Sequence, residues 1–355
     1  MPDFTNTSLV VNIAIFTLAS VVVWFAGARI TGYANAISGK TGIGQGVIGM
    51  LLLGGVTSLP EIGATITSAA AGAADLAVNN LFGSISAQVV ILAIVDQVIG
   101  KRALTAILPD PMVILQGTLG ILLLTVAVAG MVVGDTLIFG IGAWAWVSAG
   151  AYAFCVYLLS ATSGRVSWIP AHHEKADYGL AKQQKAAEKR ANVGMADRTL
   201  RNLVLNTSAL AGVILVAGYL LSRTADAMTA QLNMGGNFMG YVVLAFATSL
   251  PEFSTAITAA RAELYTLAVS DILGTNLINV GLIFVLDLVA SGEPVLNQVG
   301  TFATFGALLG IALTALFVIG MAERGDKTVW RMGLDSAAVL VCYALGLGVL
   351  FFLRG

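Results

Sequence analysis

Long apolar stretches alternate with short polar connections along almost the whole chain. Ten stretches can be marked by hydropathy, and most reach the roughly 20 residues that a helix needs to cross the hydrocarbon core of a bilayer. They cover residues 9–30, 43–72, 76–99, 111–133, 137–162, 202–221, 237–260, 266–290, 299–321 and 333–353. The pattern therefore predicts an all-α membrane protein with about ten transmembrane helices.

One substantial hydrophilic segment, residues 164–201, separates the fifth stretch from the sixth. It carries eight of the 18 basic residues, and eight more lie near connections on the same side of the predicted membrane, which leaves only Arg223 and Arg354 on the other side. Lys and Arg of short loops prefer the cytoplasm. We therefore expect a multi-pass protein of the plasma (inner) membrane with both termini outside and residues 164–201 as a solvated cytoplasmic connector.

The composition supports the same class of protein. Hydrophobic residues make up 57% of the chain and charged residues 10%, whereas soluble domains average about 25% charged residues. Cys155 and Cys342 both lie inside apolar stretches, and no spacing suggests a metal site or a disulfide. We interpret them as small buried residues.

A five-residue motif, Thr-Ser-Leu-Pro-Glu, occurs at residues 57–61 and again at residues 248–252. At this offset of 191, the 40 gap-free pairs that end at Asp96 and Asp287 include 15 identities. The copies lie five apolar stretches apart, an odd number, so they cross the membrane in opposite directions. This arrangement is typical of secondary transporters. It predicts two inverted repeats of five helices each, residues 1–163 and 202–355.

The motif places one glutamate deep inside an apolar stretch of each repeat, Glu61 and Glu252. A carboxylate at that depth costs several kcal/mol unless it is paired, protonated or solvated, so it marks a functional site by default. A single buried glutamate can also be a structural hydrogen-bonding group. Its repetition at equivalent positions favours the functional interpretation.

The prolines of the motif add backbone ligands. Pro60 and Pro251 have no N–H, so the carbonyls of Val56 and Ala247 lose their helical donors. Free carbonyls at membrane depth are tolerated where they face a cavity or an ion. We therefore expect each helix to be interrupted next to its glutamate.

Further oxygen-bearing side chains accompany the two glutamates. Thr57 and Glu61 stand one helical turn apart and can share a face, as can Thr248 and Glu252. The remaining candidates are the hydroxyls of Ser58 and Ser249 and, at i, i+4 and i+8 of the following helices, Asn80, Ser84 and Gln88 in the first repeat and Asp271, Thr275 and Asn279 in the second. Small polar residues also pack transmembrane helices together. A set of oxygen ligands without imidazole or thiolate suits Ca²⁺ or Na⁺ rather than zinc or copper.

These motifs resemble those of the cation/calcium exchanger superfamily, which includes the sodium/calcium exchangers. The resemblance covers both repeats, the ten spans and the cytoplasmic connection after the fifth. It implies alternating access, with Ca²⁺ held at the centre by the two repeat glutamates, Na⁺ in neighbouring sites, and no cofactor. Carried over by position, it implies the ligand set Thr57, Ser58, Glu61, Ser84, Gln88, Thr248, Ser249, Glu252, Thr275 and Asn279.

The chain departs from the family pattern at three places. The first repeat has Gly83-Ser84-Ile85 where the family has Gly-Ser-Asn, and sodium/calcium exchangers often have an aspartate where this chain has the amides Gln88 and Asn279. The usual Gly-Asn ahead of the second motif is Ser270-Asp271. Our hypothesis is that Asp271 is a displaced ligand or a proton acceptor. A Ca²⁺/H⁺ antiporter, or one for another divalent cation, therefore remains an alternative to Ca²⁺/Na⁺ exchange.

Other classes of function have less support in the sequence. The two histidines, His172 and His173, lie in the hydrophilic segment, and no His-Glu-x-x-His pattern supports an intramembrane enzyme. Residues 39–41 resemble the end of a phosphate-binding loop, but Ala34 occupies the position of its first glycine. We expect a carrier rather than an enzyme, with the lipid bilayer and inorganic cations as partners and no nucleic acid. The sequence leaves the oligomeric state open.

Overall fold

The computed structural model describes residues 4, 6–70, 72–100, 102–108, 110–162, 174–192, 195, 197–231, 236–290 and 292–353. The first half contains α1 (Leu9–Thr41), α2 (Gln45–Val47), a π-helical segment π1 (Ile48–Leu53), α3 (Gly54–Thr57), α4 (Leu59–Ala70), α5 (Ala74–Ile99), α6 (Leu104–Ile107), α7 (Met112–Val133), the two-residue strands β1 (Leu137–Ile138) and β2 (Ile141–Gly142), and α8 (Ala143–Thr162). Helix α9 (Glu174–Asn192) follows. The second half contains α10 (Leu200–Gln231), α11 (Gly236–Met239), π2 (Gly240–Leu244), α12 (Ala245–Thr248), α13 (Leu250–Arg261), α14 (Tyr265–Val289), α15 (Val295–Gln298), α16 (Thr301–Glu323), β3 (Thr328–Val329), β4 (Met332–Gly333) and α17 (Leu334–Leu353).

The helices agree with the predicted membrane fold. Within the described residues, eight helices are long and apolar enough to cross a bilayer, and two bent helix pairs bring the number to ten. Helix α1 extends 11 residues beyond the predicted end at residue 30, because its polar continuation packs inside the protein rather than in water. Thr31 and Asn35 in this extension are each 1% exposed. Hydropathy alone cannot detect a helix that polar residues continue.

The offset of 191 relates far more of the chain than the 40 residue pairs that reveal it in the sequence. Helices α1 and α10 begin 191 residues apart, at Leu9 and Leu200, and α8 and α17 match at both ends. The hairpin β1–β2 pairs Leu137 with Gly142, and β3–β4 pairs residues 328 and 333 in the same register. The chain therefore consists of two inverted-topology repeats of five spans.

Each repeat contains one broken span, as the prolines predict. Helix α4 is bent by 46° from the segment that ends at Thr57, and α13 is bent by 51° from the segment that ends at Thr248. Ser58 and Ser249 form the breaks, and Pro60 and Pro251 are the second residues of the helices that follow. Pro is tolerated in a first turn because its missing N–H would have no intrahelical acceptor there.

The two repeats cross at these broken spans. A Cβ added at Gly83 on α5 would lie 2.2 Å from the carbonyl oxygen of Tyr241 in π2, and one added at Gly274 on α14 would lie 2.5 Å from the Cα of Met50 in π1. Both glycine pairs obey the offset of 191. Only glycine permits such close backbone contact. The long helix of each repeat therefore packs against the broken helix of the other.

Two buried aspartates connect the repeats away from the crossing. Asp96 accepts N–H hydrogen bonds of 2.7 Å from Leu104 in its own repeat and from Gly333 in the other. Asp287, its counterpart, accepts one from Gly142 across the same boundary. Each carboxylate thus joins the end of a long helix to the hairpin of the opposite repeat.

Within the hydrophilic segment, residues 174–192 form a docked helix where the sequence predicts a solvated connector. Helix α9 packs against α1, and Ala187 is 2% exposed in an apolar cluster with Ile37 and Leu264. The expectation failed because three alanines near residue 187 give the helix a small apolar face within a mainly charged sequence. His172 and His173 lie outside the described residues.

Candidate functional site

The two repeat glutamates lie at the crossing, one on each side of it. Glu61 is in the first turn of α4 and Glu252 is in the first turn of α13, and both side chains are 0% exposed. The helix breaks at Ser58 and Ser249 put each glutamate on a separate helix from the threonine that precedes it in the motif. Thr57 and Glu61 therefore do not lie on one continuous helix, and neither do Thr248 and Glu252.

Hydroxyl groups reach each glutamate from the opposite repeat. Ser249 Oγ donates to Glu61 Oε1 at 3.4 Å, and Thr248 also contacts this carboxylate. Thr57 also approaches Glu252, although no hydrogen bond joins the two side chains. Since each carboxylate is surrounded by groups of the other repeat, both copies of the motif contribute to a single site.

The following helices complete the polar centre. Ser84 Oγ on α5 lies 3.4 Å from Thr248 Oγ1, and either hydroxyl can donate. Thr275 Oγ1 on α14 donates to the carbonyl of Gly54 at 3.5 Å. Each contact joins the long helix of one repeat to the broken span of the other, although the partner is a hydroxyl in one case and a carbonyl in the other.

The backbone at the breaks differs from the prediction of free carbonyls. The N–H of Ser58 points to the carbonyls of both Gly54 and Val56, and the N–H of Ser249 points to those of Ala245 and Ala247. The carbonyls of Val56 and Ala247 lack the N–H that a residue other than proline would supply four residues later. The N–H two residues later, of Ser58 or Ser249, approaches them instead. The Gly54 carbonyl, which also accepts from Ser58 Oγ at 2.6 Å, faces Thr275 instead.

Asp271 is a third buried acid in the centre, and it has no acidic counterpart in the first repeat. It is 0% exposed and accepts hydrogen bonds from Thr57 Oγ1 at 3.4 Å and from Thr255 Oγ1. It also interacts electrostatically with Glu252. The corresponding residue of the first repeat is Asn80, so the site is asymmetric in charge.

Thr255 was not identified from the sequence. Its counterpart in the first repeat is Ala64, so a search for features that the repeats share passes over it. The available signal was its position one helical turn after Glu252, on the face that α13 turns toward α14.

Amide side chains form the rest of the centre. Asn80, Gln88 and Asn279 are at most 1% exposed, and neither polar atom of any of these side chains has a hydrogen-bond partner among the described residues. The same is true of both carboxylate oxygens of Glu252 and of one oxygen of Glu61. Buried polar groups without partners are costly. Together they indicate a centre that is adapted to bind polar or charged species.

The electrostatics of the site favour a cation. Within the described part of the chain, no basic side chain forms an ion pair with Glu61, Glu252 or Asp271, and the ion pairs Arg102–Asp326 and Arg190–Glu263 join exposed side chains. Buried negative charges without counterions are strongly unfavourable. A bound cation relieves this cost directly.

The donor set restricts the kind of cation. No group of three or more His, Cys, Asp or Glu side chains is close enough to hold a metal ion among the residues that the structure describes. Hydroxyl, amide and carbonyl oxygens must therefore supply much of the coordination. That is the donor chemistry of Ca²⁺ and similar hard cations, not of zinc or copper.

All eleven residues predicted from the sequence are buried. Their side chains belong to α3, α4, α5, α12, α13 and α14 or to the two breaks, and each is 0% exposed: Thr57, Ser58, Glu61, Ser84, Gln88, Thr248, Ser249, Glu252, Asp271, Thr275 and Asn279. Contacts across the repeats bring the motif hydroxyls, both glutamates, Ser84 and Asp271 together. Gln88 and Asn279 form no side-chain hydrogen bond with the other members among the residues that the structure describes.

Comparisons with known proteins agree with this fold. The profile of the family described as "Sodium/calcium exchanger protein" matches residues 11–172 and 203–352. An uncharacterized membrane protein of Methanocaldococcus jannaschii is 22% identical over 337 residues, which cover 89% of this chain and 98% of that protein.

Solved structures show the same architecture. A structure of the sodium-calcium exchanger NCX_Mj soaked with Na⁺ and Ca²⁺ matches 95% of this chain and 98% of its own, with a TM-score of 0.65 and 14% identity. A second, soaked with Na⁺ and Sr²⁺, matches 96% and 99% with a TM-score of 0.66 at the same identity. The arrangement of the helices is therefore shared with a protein of very different sequence.

Proposed function

The chain belongs to the sodium/calcium exchanger protein family, and from this premise we propose that it is a secondary active antiporter that exchanges Ca²⁺ for Na⁺. It is an integral multi-pass membrane protein of a cation-exchanging family, so a transport function needs no further argument. The choice of ions and the mechanism are our proposal. The observation that carries it is the crossing of two buried glutamates with hydroxyl groups of the opposite repeats.

Ca²⁺ is the proposed central substrate, held between Glu61 and Glu252. Two carboxylates neutralise a divalent charge, and Ca²⁺ takes six to eight oxygen ligands in flexible geometry. The hydroxyls at the two breaks and the amide of Gln88 or Asn279 supply neutral oxygens, which suits a site that must also release its ion. A carrier needs binding that is reversible at each turnover.

Na⁺ is proposed to occupy the neighbouring positions. Thr57 Oγ1 lies 3.4 Å from both the Gly54 carbonyl and Asp271 Oδ1, and the same carbonyl lies 3.5 Å from the Thr275 hydroxyl. One carboxylate with neutral oxygens matches a monovalent cation. In this proposal Asp271 supplies the charge that the amide at position 279 does not.

Alternating access follows from the symmetry of the crossing. Each half of the site belongs to one repeat, and the repeats are inverted, so a motion that opens one side is related by symmetry to a motion that opens the other. The helix breaks allow α4 and α13 to change direction without breaking the long helices. We further propose the plasma (inner) membrane, with α9 cytoplasmic and the termini outside, from the distribution of basic residues.

The second candidate, Ca²⁺/H⁺ exchange, is favoured by one observation. Asp271 is fully buried and held by two hydroxyl donors, so it is an acid that can alternate between a proton and a cation. In that case Asp271 would carry the coupling proton while Glu61 and Glu252 hold Ca²⁺.

Ca²⁺ flux into proteoliposomes distinguishes the two candidates. The purified chain is reconstituted, and Ca²⁺ uptake is measured under an imposed Na⁺ gradient, an imposed proton gradient, and neither. We expect uptake with the Na⁺ gradient at constant pH. Uptake with protons alone would select the second candidate, and no uptake in either case would refute Ca²⁺ as the substrate.

A further inference from the structure

Helix α9 has two chemically different faces. Gln184, Ala187 and Ala191 are on the face that packs against the membrane helices, and Ala187 is almost fully buried. The exposed residues Lys182, Lys185 and Lys189 follow one another at helical spacing on the opposite face. The helix is therefore docked in one defined orientation, with its charges toward water.

A hydrogen-bonded ring fixes the docked face. Its four bonds run from Thr266 Oγ1 to Gln184 Oε1 (3.2 Å), from Gln184 Nε2 to Gln45 Oε1 (2.9 Å), from Gln45 Nε2 to Asn35 Oδ1 (2.8 Å), and from Asn35 Nδ2 to the carbonyl of Glu188 (3.3 Å). Thr266 on α14 binds Gln184, and the bonds that leave Gln184 pass through α2 and α1 and return to α9 at Glu188. The turn of α9 between Gln184 and Glu188 closes the ring. Thus one side chain, Gln184, joins the first repeat to the second.

Contacts on either side of the ring extend the docking. Arg190 forms an ion pair at 3.7 Å with Glu263, which lies two residues before the start of α14. Arg198, after the helix, lies over the ring of Tyr33 on α1 at 5.5 Å and donates to its hydroxyl at 3.3 Å. The exposed ion pair contributes little by itself, so the ring, whose bonds are buried or partly buried, is the principal polar attachment.

The starts of the two long helices, α5 and α14, differ in exposure although the repeats are related by the inverted symmetry. Thr266 is 1% exposed beneath α9, whereas its counterpart Asp75, at the start of α5, is exposed. The start of the long helix is therefore covered on one side of the membrane only. This difference cannot come from the repeats, which have the same fold, and it follows from the segment that links them.

The ring also lies between α9 and the polar centre. Thr266 precedes Asp271 by five residues of α14, about 7.5 Å along the axis. Gln45 begins the broken span that leads through π1 to Thr57. Gln184 thus joins the broken span of the first repeat to α14 of the second, and both of these elements contribute side chains to the polar centre.

We propose that α9 is a latch that keeps the protein closed on its own side of the membrane, and that the bonds of Gln184 must break before the centre opens there. The inference rests on the proposed alternating access, because only a protein that opens on this side needs a latch. A rearrangement between the repeats changes the distance from Gln45 to Thr266, and Gln184 cannot then bridge both.

Cysteine labelling tests the latch without any transport measurement. Ser270→Cys, in a background of Cys155→Ala and Cys342→Ala, reports access to α14 one turn below Thr266, with a hydrophilic maleimide as the probe. We expect Gln184→Ala to speed labelling roughly tenfold, since about one to two net hydrogen bonds are lost. Gln183→Ala, the same change at the exposed neighbour, should leave the rate unchanged. Equal rates in the two variants would overturn the latch and leave the proposed ion exchange untouched.

Thiol cross-linking provides the second test. In the same cysteine-free background, Gln184→Cys with Thr266→Cys should be joined by a reversible bis-methanethiosulfonate reagent whose spacer replaces the length of the glutamine side chain, because a direct disulfide needs closer backbones. The cross-link should lower Ca²⁺ flux at least about tenfold until reductant is added, whereas Gln183→Cys with Thr266→Cys should not be cross-linked. A failure to cross-link would contradict the docking, and full flux in the cross-linked protein would contradict the latch. Absence of flux in the unsubstituted protein would instead refute the proposed function, and the labelling result would then still decide the latch.

Discussion

At the scale of single residues, the polar centre depends on charges that the protein does not balance itself. Glu61, Glu252 and Asp271 are fully buried, and within the part of the chain that the structure describes each is approached by hydroxyl groups and forms no ion pair with a basic side chain. In a medium of low dielectric constant this arrangement attracts cations. The two glutamates are equivalent by the repeat, and Asp271 is not.

Glu61→Gln and Glu252→Gln should each abolish Ca²⁺ exchange. The substitution keeps the shape of the side chain but removes one of two charges facing a divalent ion, and we expect flux to fall roughly 100-fold or more. Ca²⁺ flux in proteoliposomes measures this, with folding checked by the elution of the purified variant as a single species. Asp75→Asn, an exposed acid of the first repeat, serves as the control. Full activity in either glutamine variant would remove that glutamate from the centre.

Asp271→Asn should separate Ca²⁺ binding from coupling. We expect exchange to persist with a half-saturating Na⁺ concentration raised roughly tenfold, because one charged ligand is lost. The measurement is Ca²⁺ flux as a function of Na⁺ concentration at several pH values. Thr255→Val should shift the curve in the same direction and Thr255→Ser should not, since serine keeps the hydroxyl. Unchanged Na⁺ and pH dependence would exclude Asp271 from the transport site.

At the scale of elements, the broken spans and the long helices form the site by close backbone contact. Gly83 and Gly274 allow α5 and α14 to touch π2 and π1. Without this contact, the hydroxyls of Ser84 and Thr275 could not reach the breaks of the opposite repeat. A larger residue at either glycine must separate the two helices.

Gly83→Ala should therefore destabilise the protein. The added methyl group would lie 2.2 Å from a backbone carbonyl, and overpacking of this kind costs about 1–3 kcal/mol. Gly150→Ala on α8, where nothing lies within 4 Å, is the matched control, and it should be neutral or slightly stabilising because alanine favours a helix. Thermal unfolding in detergent compares the two. A midpoint for Gly83→Ala equal to that of Gly150→Ala would contradict the crossing.

At the scale of the whole molecule, three of the connections between the repeats bear on the symmetry of the site. The crossing holds them at the centre, Asp96 and Asp287 join each to the hairpin of the other, and α9 bridges them on one side only. The first two connections obey the inverted symmetry, and the third does not. The symmetric connections define the framework, and the asymmetric one distinguishes the two sides of the membrane.

Asp96→Asn and Asp287→Asn should each weaken the connection between repeats. An amide oxygen replaces a carboxylate that accepts backbone N–H groups from both halves, and hydrogen bonds to charged groups contribute about 1.5–3 kcal/mol. Asp75→Asn, at an exposed acid that accepts from the N–H of Leu76 in its own helix, should cost less, about 1 kcal/mol or below. Thermal unfolding of the three variants measures the order. Equal losses in all three would show that the buried aspartates do not connect the halves in this way.

The sequence by itself determined the class of fold and the inverted repeat, and it predicted eleven site residues, all of which are buried. Ten apolar stretches and one doubled motif are sufficient for this, because membrane helices must satisfy their own backbone and buried charges are rare enough to mark a site. The positions of the prolines predicted the two helix breaks. The family resemblance supplied the ligand set that the spacing only suggested.

The tertiary structure alone decided which groups meet. The hydroxyls near Glu61 come from the opposite repeat, Thr255 supports Asp271 without a counterpart in the first repeat, and the Ser58 N–H approaches the carbonyl that was expected to be free. It also showed that residues 174–192 of the hydrophilic segment form a docked helix, because Gln184 and Ala187 contact residues that are far away in sequence. Periodicity and composition describe one segment at a time, whereas these contacts depend on how two repeats pack against each other.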